Sequence, residues 1–152
     1  MKTWTLREVA EACDVTTSEL SQWIARGHFW PSAPVRPGQQ RRFDWRDLAS
    51  LATMAALRKL ALPVGVVAPI VMELRAELDR LEGIDANADL VFYRAGWSGE
   101  SPAHAVGLVS AGDLIAVLAS GPVTMIVVVV ATAFREATKN MITPDTGDEL
   151  VR

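Results

Sequence analysis

Five arginines fall within 21 residues, at positions 26, 36, 41, 42 and 46, with Asp44 the one acid among them. Gln39 and Gln40 sit inside the same stretch. Guanidinium groups fork onto anionic oxygens in pairs, and amides add neutral hydrogen bonds. Such a cluster is therefore suited to a repeating anion such as a phosphate backbone. The formal charge of the chain is -3, but it is divided. Residues 1–60 hold nine Lys/Arg against six Asp/Glu, and residues 61–152 hold six against twelve. The basic stretch thus lies in the one half whose charge favours a polyanion.

Other chemistry finds less support. Catalysis by nucleophile and base needs side chains that converge, whereas Cys13 is the only cysteine and His28 and His104 are the only histidines. Glu100 and Asp113 stand isolated. No catalytic residue, metal site or cofactor is expected, and one cysteine excludes an internal disulfide and fits a reducing cytoplasm. The start, MKTWTLREVA, is too polar for a secretory signal. The most apolar run, PVTMIVVVVATAF, covers 13 residues where a membrane helix needs about 20, so no membrane partner is predicted.

The arginines must be held by something. Residues 5–13 (TLREVAEAC) open with a capping-box pattern, Thr5 and Glu8, and place Leu6, Val9, Ala10 and Cys13 on one helical face. After Asp14 and Val15, a second capping box at Thr16 and Glu19 begins a helix over 16–26, with Leu20, Trp23 and Ile24 inward and Gly27 at its end. Two capped helices across a tight turn make a helix-turn-helix. Pro31, Pro34 and the Pro37-Gly38 pair predict an irregular connection leading to a hairpin, a wing over residues 35–43. Asp44 caps a third helix striped by Leu48, Leu51, Ala52 and Ala55. A fourth, over 64–82, carries Pro69 near its first turn or as a kink.

From Ala88 the texture changes to β-branched and aromatic runs, read as strand, strand, helix, strand and short helix. The run 125–130 is apolar on both faces and suits a central strand, covered by a helix on each face or by a partner subunit. The fold class expected is mainly α with an α+β second half: a winged helix-turn-helix with its linking helix over 1–82, a small β-β-α-β(-α) domain over 84–142 and a flexible acidic tail over 143–152.

The order of two short helices, a wing ending in Arg-x-aromatic, an acidic-capped helix and a Leu-Pro-led helix over residues 3–72 resembles the DNA-binding domain of the MerR family and its relatives among phage excisionases and small terminase subunits. That wing usually ends in aromatic, Arg, any residue, Tyr; here the positions are Gln40, Arg41, Arg42 and Phe43. The resemblance implies a phosphate contact for Arg41 and a core anchor for Phe43. Where the family commonly has Leu-Arg-Tyr-Tyr, this chain has Leu20, Ser21, Gln22 and Trp23, so that arginine's contact is not carried over. The long dimerising helix stops near Gly83, and the cysteines of the metal-sensing members are missing.

The partner expected is double-stranded DNA. A second helix in the major groove would offer Thr17, Ser18, Ser21, Gln22 and Arg26, with Gln22 suited to an adenine edge. The wing would bring Arg36, Gln39, Gln40, Arg41 and Arg42 to phosphate or the minor groove, with Arg46 and His28 beside them. Arg41 and Arg42 alternate along a strand and should face opposite ways. His28 serves either phosphate or the fold. The expected function is a cytoplasmic, sequence-specific transcriptional regulator, homodimeric through residues 84–142. Two alternatives stand beside it: a phage-type architectural DNA-binding protein, or a C-terminal half that senses a small ligand or binds a protein. In the latter, Phe92, Tyr93 and Trp97 line a pocket or form core.

Overall fold

The computed structural model describes residues 2–34, 36–85, 87–99 and 103–151. Val35 at the start of the wing and Glu100 lie outside the described residues. The chain begins with a two-residue strand β1 (Trp4–Thr5), then α1 (Leu6–Cys13) and α2 (Thr17–Ala25). The Thr5–Glu8 capping box forms in both directions, at 3.2 and 3.0 Å. At α2 only half of the expected box is present: Thr16 Oγ1 accepts from the Glu19 N–H at 3.0 Å, with no return bond from the Glu19 side chain.

Both turns close by the same device. After α1, Val15 N–H donates to Ala10 O and Asp14 N–H to Glu11 O, with Asp14 left-handed at φ 56°. After α2, His28 N–H donates to Trp23 O and Gly27 N–H to Ile24 O, with Gly27 at φ 73°. These are Schellman closures, in which a left-handed residue lets the chain fold back onto the last carbonyls. Gly27 suits that conformation; Asp14 tolerates it.

Strand β2 (Arg42–Phe43) then pairs antiparallel with β1, Trp4 opposite Phe43 and Thr5 opposite Arg42. This corrects the expected hairpin. Among the described residues the wing closes on the turn at Pro37 and Gly38 and forms no ladder of its own. The returning limb pairs with the N-terminal strand instead. Asp44 caps α3 (Trp45–Lys59) in a reciprocal box with Asp47. Helix α3 is buried on most sides, with α1 and α4 (Val64–Leu78) packed on it. Pro69 lies inside α4, beyond its first turn, on the exposed side.

The second half forms a three-stranded antiparallel sheet in the order β4-β3-β5, from β3 (Leu90–Trp97), β4 (Ala103–Ser110) and β5 (Thr124–Val128). A 3-10 turn at Ala111–Asp113 and the short α5 (Leu114–Ala119) join β4 to β5. The predicted order of elements holds, but the central strand is β3. The 125–130 run reads as doubly covered because Ile126 and Val128 pack into the core, while Val127 and Val129 are apolar yet exposed. Residues paired across strands share a face. Phe92 pairs with Leu108 on one side and Val128 on the other, and all three join the core. On the opposite face Tyr93 lies over Gly107, where a Cβ would come within 2.9 Å of its ring.

Helix α6 (Val130–Val151) follows β5 after one residue. It is longer than the short helix expected and includes most of residues 143–152. It turns back onto α1 and α3, burying Ala131, Phe134 and Ala137, and Asn140 Nδ2 donates to Ala12 O at 3.0 Å. Alanines on all three helices allow this close approach. One core thereby runs through both halves.

Candidate nucleic-acid interface

Helix α2 is held by Leu20 and Trp23, both buried, so its remaining face is fixed in direction. Thr17, Ser18 and Gln22 are exposed, Ser21 is half-buried, and Arg26 is the exposed C-cap. These polar groups start at the helix N-terminus, where unpaired N–H groups add their own attraction for anions.

The wing presents the other set. Gln39 N–H donates to Arg36 O at 3.1 Å, closing a turn with Pro37 and Gly38 at its centre and Gly38 at φ 76°. Proline sets the second position and glycine supplies the positive φ that a type II turn needs at the third. The tip is thin, since a Cβ at Gly38 would meet nothing within 4 Å. Arg36, Gln39 and Gln40 are exposed on it, and Arg41 is half-buried.

Two arginines differ in their surroundings. Arg42 is exposed, yet its Nε donates to Thr3 Oγ1 at 3.0 Å and its Nη2 to Thr3 O at 3.1 Å, securing the β1–β2 pair. Arg46 is drawn inward: Nε donates to Leu78 O at 3.2 Å and Nη2 to Leu81 O, capping the end of α4, while the guanidinium lies 4.6 Å from the Trp45 ring centroid. Sequence spacing grouped Arg46 with the wing; the structure also gives it a fold-holding role at the α4 terminus.

A network of buried charge anchors the site. The Asp47 carboxylate, fully buried, accepts from Ser32 N–H, Ser32 Oγ and Arg75 Nη1 on one oxygen and from Asp44 N–H on the other. Arg75 Nη2 also donates to Ser32 Oγ. Burial pushes the Asp47 carboxyl above its ordinary value despite these donors. Burial acts the same way on Asp44, but the N–H of Asp47, the Ser32 hydroxyl and the charge of Arg75 outweigh it and hold that carboxyl low. The loop leading to the wing is thereby tied to the start of α3 and to α4.

His28 is half-buried in a groove of about 190 Å³ between this loop and α4, with Phe29, Trp30, Met72 and Arg75 also on its walls. Trp30 is 71% exposed and donates its indole N–H to Gly27 O at 3.1 Å. Trp30 is not among the residues expected at the interface; its signal in the sequence is an aromatic residue inside a proline-rich loop. The three β3 aromatics offered either for a pocket or for core do not share one face. Strand alternation puts Phe92 on the helix-facing side, away from Tyr93 and Trp97. Among the described residues no group of three or more His, Cys, Asp or Glu could hold a metal ion, and no helix is long and apolar enough to cross a membrane.

The helix-turn-helix, the β1–β2 pair and the two following helices have a counterpart among known families. Residues 4–73 match the model of the MerR HTH family regulatory proteins. The first half is a MerR-like winged helix-turn-helix, and the match supports a DNA-binding transcription regulator in general. The sheet and α6 lie outside the MerR match. No curated protein matches the chain.

Proposed function

We propose that this chain is a sequence-specific, cytoplasmic transcriptional regulator that reads DNA as a homodimer joined through residues 84–142. Helix α2 enters the major groove with Thr17, Ser18, Ser21 and Gln22 toward the bases and Arg26 toward the backbone. The wing lays Arg36, Gln39, Gln40 and Arg41 along phosphates or into the adjacent minor groove, with His28 behind them. Arg42 and Arg46 combine any phosphate contact with their ties to Thr3 and to the end of α4.

The observation that carries this reading is the exposed polar face of α2 beside an exposed arginine-glutamine wing tip, within a MerR-like segment. One such module makes few base contacts, so useful specificity calls for two half-sites and a two-fold dimer. Selection of bound genomic fragments followed by footprinting tests it. A single palindromic site of two protected half-sites is the expected result. Tandem protections with bent DNA would favour an architectural factor, and binding indifferent to sequence would overturn both specificity and the α2 assignment.

A further inference from the structure

Residues 114–134 form the longest uncharged window of the sequence, 21 residues between Asp113 and Arg135. Five of the nine exposed large hydrophobics among the described residues lie in it: Ile115 (71%), Leu118 (54%), Val123 (65%), Val127 (40%) and Val129 (48%). The window holds β5, an edge strand. Its pairing with β3 runs unbroken from Phe92 opposite Val128 to Gly96 opposite Thr124. Edge strands are ordinarily blunted by a lysine, a proline within the strand or a bulge, and β5 (TMIVV) carries none of these.

We propose that the free edge of β5 is the dimer interface, pairing antiparallel with β5 of a second copy into one sheet of order β4-β3-β5-β5-β3-β4. The inference rests on the homodimer reading above and specifies its geometry. Three observations select a second copy as the occupant. A strand added antiparallel to its own duplicate is self-complementary about a two-fold axis, the symmetry that paired half-sites require. The surrounding half is acidic, with six Lys/Arg against twelve Asp/Glu over residues 61–152, so copies that met on its charged surface outside the 114–134 window would bring like charges together. The β5 edge instead offers backbone donors and acceptors and valine side chains, which another copy matches without repulsion.

Sedimentation equilibrium of the full chain at micromolar concentration tests this. The expected mass is twice 16.5 kDa for the unaltered chain and 16.5 kDa for Val127→Lys, with Met72→Lys on the exposed side of α4 remaining a dimer. Val127→Cys should become a covalent dimer on mild oxidation, while Cys13, being buried, does not cross-link. That second variant decides the matter if Val127→Lys fails to fold. A dimeric Val127→Lys with no cross-link through Val127→Cys would overturn edge pairing and leave the homodimer reading standing. A monomeric unaltered chain would overturn both.

Discussion

Arg75 and Asp47 meet across the α3–α4 contact, Nη1 to Oδ1 at 2.6 Å, with the carboxylate fully buried and the arginine side chain 17% exposed. A buried carboxylate stripped of its cation is costly, on the order of 3–5 kcal/mol, because the remaining charge keeps its desolvation penalty. Arg75→Met should destabilise the chain by about 3 kcal/mol at pH 7 in urea unfolding. The Asp47 carboxyl already lies above its ordinary value, so falling pH protonates it and relieves the unpaired charge. The loss should therefore shrink at pH 5. An equal loss at both pH values would mean that Asp47 does not carry the effect.

Arg36 and Arg41 are assigned to phosphate, and each phosphate contact releases counterions. Arg36→Ala and Arg41→Ala should each reduce the slope of log affinity against log salt by about 1, for every DNA sequence alike. Arg42→Ala should lower thermal stability as well, because it frees Thr3 and the β1–β2 pair. Fluorescence anisotropy across a salt series, with melting curves beside it, separates the two effects.

Gly27 stands at φ 73° where α2 reverses, whereas Gly65 lies within α4 with nothing within 4 Å of an added Cβ. Gly27→Ala should cost about 1–2 kcal/mol, the penalty of a side chain in the left-handed region. Gly65→Ala should be stabilising by roughly 0.5–1 kcal/mol, since it restricts the unfolded chain. Paired denaturation curves check the opposite signs.

Burial pushes the Cys13 thiol up from 9.0 to about 12, only partly offset by the charge of Lys59. The folded state then keeps a proton that the unfolded chain releases above pH 9, so stability present below pH 9 declines from there toward pH 12. At pH 10.5 the unaltered chain should have lost about 2 kcal/mol more than Cys13→Ala, relative to pH 8. The native thiol should also resist a disulfide reagent at pH 8. Rapid labelling, or parallel stability curves for the two chains, would contradict this.

The parts legible in the sequence are those where one residue type answers one local demand. Thr5 with Glu8, Asp44 before α3, Gly27 after α2 and the Pro37-Gly38 tip each announced a cap or a turn, and each is found in place. What pairs with what was less legible. Nothing in Arg42 and Phe43 tells that Trp4 and Thr5 are their partners, because a two-residue strand has no periodicity to read. The VVVV run could not distinguish a covered central strand from an uncovered edge, since both are apolar on both faces. Arg46 could not show that its donors turn to the end of α4, 32 and 35 residues further on.

The join from β5 to α6 is a single residue, Val129, with β5 ending at Val128 and α6 starting at Val130. Such a joint has no slack. Helix α6 works as a rigid strut from the sheet edge to α1 and α3, and so to the bend that aims α2. One residue inserted at Val129 would turn that strut by about 100°. The aim of the proposed reading helix would thus be set at a place where none of its proposed DNA contacts lies.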